Sequence, residues 1–207
     1  MINQRKNFVK PDWLIITIYI LLAGFGIGNI LSSSISGEEI SIFEFDNLYS
    51  KQLVFFMISI LFAFLVMTIE VKFYERFASI FYLISIVILL GLFVFGKRVN
   101  GALSWYDLGG FNLQPSEFVK ITVALAISKY ISDFQTNLKK TIDQFWLFLI
   151  ILIPVVIIIL QNDTGSSIVF FCLFIVFYRE GISQKYLLSI LAVSILAVFT
   201  LKFSALH

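Results

Sequence analysis

Cysteine and histidine are almost absent from this sequence. The 207-residue chain contains one of each, Cys172 and His207. A single cysteine cannot form an intramolecular disulfide, and one histidine with one cysteine cannot build a His/Cys zinc site. Charged residues make up only 14% of the chain and the formal net charge is +2. So small a charge gives no reason to expect nucleic acid as a partner.

Apolar residues dominate instead, at 59% of the chain, with 24 phenylalanines. Seven apolar runs are long enough, or nearly so, to cross a hydrocarbon core of about 30 Å. They are Trp13–Leu31, Gln52–Ile69, Phe77–Phe95, Phe118–Ile131, Phe145–Leu160, Ser166–Tyr178 and Tyr186–Phe203. Irregular backbone cannot face lipid, and the period-two alternation of a membrane barrel is missing, so the spans must be helices. The sequence therefore predicts an all-α, polytopic helix bundle of about seven spans, with residues 1–207 forming one membrane domain.

Lysine and arginine are unevenly distributed between alternate connecting segments. With a cytoplasmic N-terminus, ten of them lie inside and three outside. The inner ten are Arg5, Lys6, Lys10, Lys72, Arg76, Lys129, Lys139, Lys140, Arg179 and Lys185, and the outer three are Lys51, Lys97 and Arg98. This bias predicts that the N-terminus is cytoplasmic and that segments 96–113 and 161–165 face outward. The basic inner loop is expected to contact anionic membrane lipid.

The string QPSEFVK begins the fourth apolar run with an acid and a base. Proline suits the first helical position, so Pro115 is predicted to begin a helix after Gln114 at the N-cap. Glu117 then lies where its carboxylate can bond the cap N–H. Lys120 lies about 60° around the helix from Glu117 and about 40° from Ser116, so acid, base and hydroxyl share one face. Lys120 either reaches the interface or pairs with Glu117, or it serves a function inside the bundle.

Two further segments on the predicted outer side carry polar groups. In QNDTG, either Asp163 or Thr164 is a candidate N-cap of the next helix. Alternatively Asp163, with Glu117 and Lys120, is part of a site for an anionic headgroup, with a divalent ion at its phosphates. In the glycine-rich loop GKRVNGALSWYDLGG, Trp105 either stacks on a sugar or lies in the membrane interface.

Together these segments resemble a known family. The order GALSW, LGGFNLQPSEFVK and QNDTGSSI resembles the SEDS proteins of bacterial shape, elongation, division and sporulation, of the RodA and FtsW type. The resemblance implies a fold of usually ten membrane helices, of which this chain looks like the N-terminal portion. It implies a peptidoglycan glycosyltransferase that polymerises lipid II at the outer face of the bacterial cytoplasmic membrane, with a class B penicillin-binding protein as partner. The chain alone is expected to be inactive.

The resemblance also implies roles for individual residues. Lys120, Glu117 and Asp163 match polar residues of the family's central cavity, and Gln114, Pro115 and Ser116 complete the motif at its entrance. Transfer from a polyprenyl diphosphate needs a base for the acceptor hydroxyl and positive charge near the leaving diphosphate. Lys120 suits the second role, with Glu117 setting its position. Asp163 is expected to hold Mg²⁺ or Mn²⁺ or to orient the lysine.

The general base is not assigned to either carboxylate. The resemblance places it in an outer loop after the seventh helix, beyond His207. The sequence also departs from many family members at one position. Those members have a basic residue before the tryptophan, whereas this sequence has Ser104 before Trp105. Lys97 and Arg98 are the nearby candidates to replace that contact with a phosphate or sugar.

Two other functions fit the same residues. A flippase or transporter of lipid-linked precursors would use the charged cavity to bind and pass a headgroup. A non-catalytic scaffold of the cell-wall synthesis complex would use the helices only to dock a partner. Elongation and division both stay open as the cellular role.

Overall fold

The computed structural model describes residues 12–34, 48–109, 111–133 and 140–182, together with Leu188 and Ala192. Contacts divide the chain into two compact units, residues 1–70 and 71–207.

The first unit contains two long apolar helices, α1 (Trp13–Ser34) and α2 (Leu48–Thr68). The Asp12 carboxylate accepts a hydrogen bond from the Leu14 N–H at 3.0 Å, as an N-cap does, and so starts α1. Tyr19 joins the two helices: its hydroxyl lies 3.2 Å from the Ser59 Oγ and its ring stacks on Phe56. Most of the other apolar side chains of the two helices are exposed, as suits helices in lipid.

The second unit combines helices with a small sheet. Its elements are α3 (Val71–Phe95), β1 (Lys97–Val99), β2 (Ala102–Asp107), β3 (Asn112–Leu113), α4 (Pro115–Asp133), α5 (Thr141–Leu160), α6 (Thr164–Ile168), a 3₁₀ turn (Val169–Cys172) and α7 (Leu173–Arg179). Their apolar side chains form one core, which includes Leu89, Leu92, Val119, Val123, Ile127, Leu147, Ile151, Ile158, Phe170 and Phe177.

Helix α4 packs by one face. Val119, Val123 and Ile127 are buried and recur every four residues, so they lie along one stripe of the helix. Beside this stripe the Thr122 hydroxyl lies 2.7 Å from that of Ser85 on α3. At the far end of α4, Lys129 Nζ donates to the Arg76 carbonyl at 3.1 Å. Two basic residues predicted for the inner side therefore lie at the same end of this unit.

The segment predicted as a glycine-rich loop is instead an antiparallel sheet with strand order β1-β2-β3. Asn100 and Gly101 have φ values of 52° and 84°, so they form the two-residue turn between Val99 and Ala102. Positive φ at both central positions is the type I′ geometry whose twist matches that of the strands. The Asn-Gly pair is the sequence signal for this hairpin, and the prediction of a glycine-rich loop overlooked it.

The all-α, polytopic class is confirmed, with the three short strands as an addition. Among the described residues, four helices have the length and apolar composition of a membrane span: Trp13–Ser33, Ser50–Thr68, Val71–Phe95 and Thr141–Leu160. The count of seven stays a prediction, as does a single domain. The sixth predicted span is a shorter helical segment, Thr164–Arg179. Almost all of the seventh, along with Lys139 and Lys185, lies outside the described residues.

Candidate active site at the hairpin end of the second unit

The sheet lies against the ends of α3 and α5. This part of the second unit, residues 96–114 and 161–166, is here called the hairpin end. The Tyr106 hydroxyl donates to the Ile88 carbonyl of α3 at 2.8 Å. The Leu103 N–H donates to the Gln161 carbonyl, just after α5, also at 2.8 Å. A Cβ on Gly91 would lie 2.5 Å from the Tyr106 hydroxyl oxygen. Glycine at position 91 therefore lets the tyrosine reach the α3 backbone.

The QNDTG segment ends one helix and starts another within three residues. Asn162 has a φ of 64°, its N–H bonds the Ile159 carbonyl at 2.9 Å, and the Asp163 N–H bonds the Ile158 carbonyl at 3.1 Å. These two bonds across a left-handed residue are the Schellman ending of α5. The Asp163 carboxylate then accepts the Ser166 N–H at 3.1 Å and caps α6. Of the two predicted candidates for the N-cap, Asp163 is the one that caps the helix, and Thr164 is the first helical residue.

A triangle of hydrogen bonds connects this segment to the start of α4. Gln114 Nε2 donates to Asp163 Oδ2 at 2.9 Å and to Ser166 Oγ at 3.1 Å. Ser166 Oγ in turn donates to Asp163 Oδ2 at 2.9 Å. The first residues of α4 and α6 are therefore held together by side chains 49 positions apart in the sequence.

Glu117 and Lys120 lie next to this triangle as an ion pair. Pro115 begins α4, as predicted, and Lys120 Nζ donates to Glu117 Oε1 at 2.8 Å. The side chains are 56% exposed for Glu117 and 24% for Lys120. Among the described contacts, the Glu117 carboxylate bonds Lys120 and not the Gln114 N–H, so its observed role is to hold the ammonium. Partly exposed pairs contribute little to stability, about 0 to 1 kcal/mol.

Ser116 lies on the buried face of α4 and is 2% exposed. Its hydroxyl has no hydrogen-bond partner among the described residues. Buried hydroxyls in proteins nearly always have a partner, and leaving one unpaired costs about 1 to 3 kcal/mol. Among the buried side chains that the structure describes, the Ser116 hydroxyl therefore has bonding capacity left over.

The exposed side of the hairpin carries a second ion pair. Lys97 Nζ lies 2.7 Å from Asp107 Oδ2, and the Gly109 N–H donates to Asp107 Oδ1 at 3.1 Å. The Lys97 hydrogen bond, the Gly109 N–H and the Lys97 charge lower the pKa of the Asp107 carboxyl. Desolvation raises the pKa of the Tyr106 hydroxyl.

The three residues predicted to contact substrate from this hairpin differ in their surroundings. Trp105 is half-buried and pairs in register with Lys97. Lys97 is neutralised by Asp107, whereas Arg98 is exposed. Ser104, which stands where many family members have a basic residue, is 3% exposed. Of the two candidates to replace that basic contact, Arg98 is the more available.

The donor set around Asp163 does not suit a resident metal ion. Its two carboxylate oxygens already accept three hydrogen bonds, from the Ser166 N–H, the Ser166 hydroxyl and the Gln114 amide. The described residues contain no group of three or more His, Cys, Asp or Glu side chains that could hold a metal. Among the described residues, Asp163 also forms no ion pair with Lys120. One lone-pair site, on Asp163 Oδ1, is left by these bonds, which is far from the full set of oxygen ligands that Mg²⁺ or Mn²⁺ takes.

Sequence reasoning missed Gln161, which is 2% exposed. Its Nε2 donates to the Leu89 carbonyl of α3 at 2.7 Å, and its own carbonyl accepts the Leu103 N–H. One residue thus connects α3, α5 and β2. The available signal was an amide side chain directly after a long apolar helix, where only a bonded polar group is tolerated in the interior.

A family model and several curated proteins match this chain. The model of the FtsW, RodA and SpoVE proteins, described as cell cycle proteins, matches residues 12–207. The probable peptidoglycan glycosyltransferase FtsW of Wigglesworthia glossinidia brevipalpis is 30% identical over 210 residues, covering 95% of this chain and 54% of the relative. The peptidoglycan glycosyltransferase RodA of Treponema pallidum is 29% identical over 197 residues, covering 92% of this chain and 43% of the relative. The chain thus spans about half the length of these relatives.

Solved structures agree with the fold. The rod shape determining protein RodA of Thermus thermophilus has a TM-score of 0.78 at 25% identity, covering 95% of this chain and 60% of that one. A chain from a peptidoglycan synthase complex, described as coordinating polymerisation and crosslinking, has a TM-score of 0.78 at 25% identity, covering 96% of this chain and 56% of that one.

Proposed function

Because this chain belongs to the FtsW, RodA and SpoVE family of cell cycle proteins, the SEDS family, we propose that it serves in peptidoglycan polymerisation. It is a multi-pass bacterial membrane protein, as the apolar helices and the family indicate. The proposed reaction is glycosyl transfer on lipid II, a polyprenyl diphosphate carrying a disaccharide. The hairpin end is the proposed reaction face, and the uneven distribution of Lys and Arg supports placing it outside the cytoplasmic membrane.

The observation that carries this proposal is the position of the Lys120 ammonium. It lies in the second turn of a helix that packs into an apolar core, and Glu117 holds it at 2.8 Å. A charge at such a depth is costly in lipid unless it has a partner or a function. A lysine held at the mouth of a bundle can bind a diphosphate directly, as a compact positive charge.

Each residue at the hairpin end then has a proposed role. In the reaction a sugar hydroxyl forms the new glycosidic bond as the bond to the diphosphate breaks. Lys120 stabilises the negative charge that develops on the diphosphate, and Glu117 positions Lys120. Ser116 has bonding capacity for a polar group of the substrate, and Pro115 sets the start of α4. Arg98, Lys97 and Trp105 are proposed as substrate contacts on the hairpin.

Asp163 and Gln114 are proposed as positioning residues rather than as the base. The bonds to Gln114 and Ser166 occupy the Asp163 carboxylate, and Glu117 is paired with Lys120. Both carboxylates are thus engaged by neighbouring side chains, which supports assigning them to positioning rather than to taking the proton from the acceptor hydroxyl. A requirement for Mg²⁺ or Mn²⁺ stays a prediction, and none of the roles above depends on it.

A class B penicillin-binding protein is the proposed partner. The solved synthase complex, described as coordinating polymerisation with crosslinking, supports a partner of this kind. Sidedness can be checked with cysteines introduced by Arg98→Cys and by Lys72→Cys in a Cys172→Ala background. We expect an impermeant thiol reagent to label the first and not the second from outside. The reverse pattern would place the hairpin end in the cytoplasm.

The function is tested by the product that the protein makes. We would reconstitute the complete protein, as its gene encodes it, in liposomes with lipid II and the class B partner and separate the products on a gel. Glycan strands that disappear in Lys120→Met support the proposal. Movement of lipid II between leaflets without strands would favour a flippase. Partner binding that is undiminished in Lys120→Met, with neither strands nor lipid movement in any variant, would favour a scaffold.

A further inference from the structure

Pro154 interrupts the hydrogen bonds of α5. It lies inside this helix, at its buried face. Proline has no N–H, so the carbonyl four residues earlier, that of Ile150, loses its intrahelical donor. In a membrane helix, water cannot replace that donor, and an unpaired carbonyl is costly.

The neighbouring helix supplies the missing donor. The Tyr82 hydroxyl of α3 donates to the Ile150 carbonyl at 3.1 Å. Three other side chains in this unit also donate to carbonyls of a different helix: Tyr106 to Ile88, Gln161 to Leu89 and Lys129 to Arg76. Those three carbonyls keep an N–H four residues on, from Leu92, Phe93 and Ile80. Tyr82 is therefore different, because it restores a bond that the helix cannot make for itself.

We propose that Tyr82 is a positioning residue that replaces the hydrogen bond removed by Pro154 and thereby sets the direction of the last turns of α5. Those turns lead directly to Gln161, which bonds α3 and β2, and then to Asp163, which bonds Gln114. About 10 Å of helix separates Pro154 from Gln161. A change in helix direction at Pro154 is therefore carried to the hydrogen-bonded triangle beside Lys120. Where it concerns activity, this inference rests on the proposed function.

A double-mutant cycle tests the pairing. Tyr82→Phe keeps the ring and removes the donor, so we expect its melting temperature in detergent to fall by about 3 to 6 °C. Pro154→Ala returns an N–H to the helix, so the same Tyr82→Phe change in that background should cost less than half as much. Glycan formation should follow the same order: a loss in Tyr82→Phe that Pro154→Ala reverses. Purely packing roles for the two residues would give additive effects and no rescue.

Tyr106→Phe is the matched control. It removes the same hydroxyl from a helix carbonyl that keeps its own N–H, so its melting temperature should change less than that of Tyr82→Phe and should not respond to Pro154→Ala. Additive losses for Tyr82→Phe and Pro154→Ala, or an equal response of the control, would overturn the proposal. If no protein in the series, including the unaltered one, makes glycan, the proposed function fails while the melting temperatures still decide the pairing.

Discussion

The α1–α2 pair and the α3–α5 bundle both contain helices that are long and apolar enough to cross a membrane, but they differ in what their side chains contact. In an 18-residue apolar stretch of α1, and in one of α2, no residue is buried. In the corresponding stretches of α3 and α5, 22% and 44% of the residues are buried. Tyr19 and Ser59 contact each other by side chains in the first pair. In the bundle, Tyr82, Tyr106 and Gln161 donate to backbone carbonyls of another element. In a chain this apolar, hydrophobicity does not identify the interior, and polar side chains bonded to neighbouring backbone do.

The largest effect should come from the charge at the mouth of the bundle. We expect Lys120→Met to lower the rate of glycan formation by about 10² to 10³, because one electrostatic contact to the leaving group is lost. Lys72→Met, at an exposed position at the start of α3, is the matched control and should change the rate little. The measurement is strand synthesis from lipid II at equal protein in the membrane. A rate for Lys120→Met within a few-fold of the unaltered protein would remove Lys120 from the site.

Replacing a glycine by alanine should change stability in opposite directions in the two regions. Gly91→Ala places a Cβ 2.5 Å from the Tyr106 hydroxyl and should destabilise the protein by about 1 to 3 kcal/mol. Gly26 in α1 has nothing within 4 Å, so Gly26→Ala should be neutral or stabilising by up to about 1 kcal/mol, from helix propensity. Thermal unfolding in detergent measures both. The comparison fails if the two substitutions change stability in the same direction. Tyr106→Phe should reduce the destabilisation caused by Gly91→Ala, because it removes the crowded hydroxyl.

The stability lost when a single hydrogen bond is removed should also differ between the two regions. Gln161→Met removes the donor to the Leu89 carbonyl inside the bundle, and we expect a cost of about 1 kcal/mol, or a fall of about 2 to 4 °C in melting temperature. Tyr19→Phe removes an exposed contact to Ser59 and should cost less than about 0.5 kcal/mol. Equal shifts for the two variants would show that the polar contacts of the bundle are no more important than those between α1 and α2.

The smallest effect concerns acid at the hairpin. The pKa of Asp107 lies below its ordinary value of 3.8 because Lys97 and the Gly109 N–H favour the carboxylate. A lowered pKa in the folded state stabilises the fold above the unfolded-state pKa, and this contribution is lost as pH falls through the folded-state pKa. We therefore expect the Lys97–Asp107 contact to weaken only below about pH 4. Carboxyl NMR should show the Asp107 pKa returning toward 3.8 in Lys97→Met; an unchanged value would mean that Lys97 does not set it.

Much of the local structure follows from short sequence signals. Pro115 starts α4, Asp163 caps α6, and the apolar runs that lie within the described residues form helices, as the residue types predict. The Asn100-Gly101 turn was equally readable and was missed. These signals work because each depends on one or two neighbouring residues: a missing N–H, a capping oxygen or a positive φ.

Pairings between distant residues could not be predicted in the same way. Glu117 and Lys120 are three positions apart, so helix geometry alone brings them together. Gln114 and Asp163 were both predicted as site residues, but nothing local indicates that they bond each other across 49 positions. The prediction that Asp163 holds a metal assumed that its oxygens were free, and the structure shows three donors on them.

By itself the sequence determined that this protein is a bundle of apolar helices with an acid and a base near the start of one of them, because composition and helix periodicity act over a few residues. Only the tertiary structure decided which groups the polar residues contact. It placed Ser116 against the core, closed the triangle between Gln114, Asp163 and Ser166, and brought Tyr82 to the carbonyl that Pro154 leaves unpaired. The physical reason is that a hydrogen bond between helices depends on how their faces pack, and many packings satisfy the same apolar pattern.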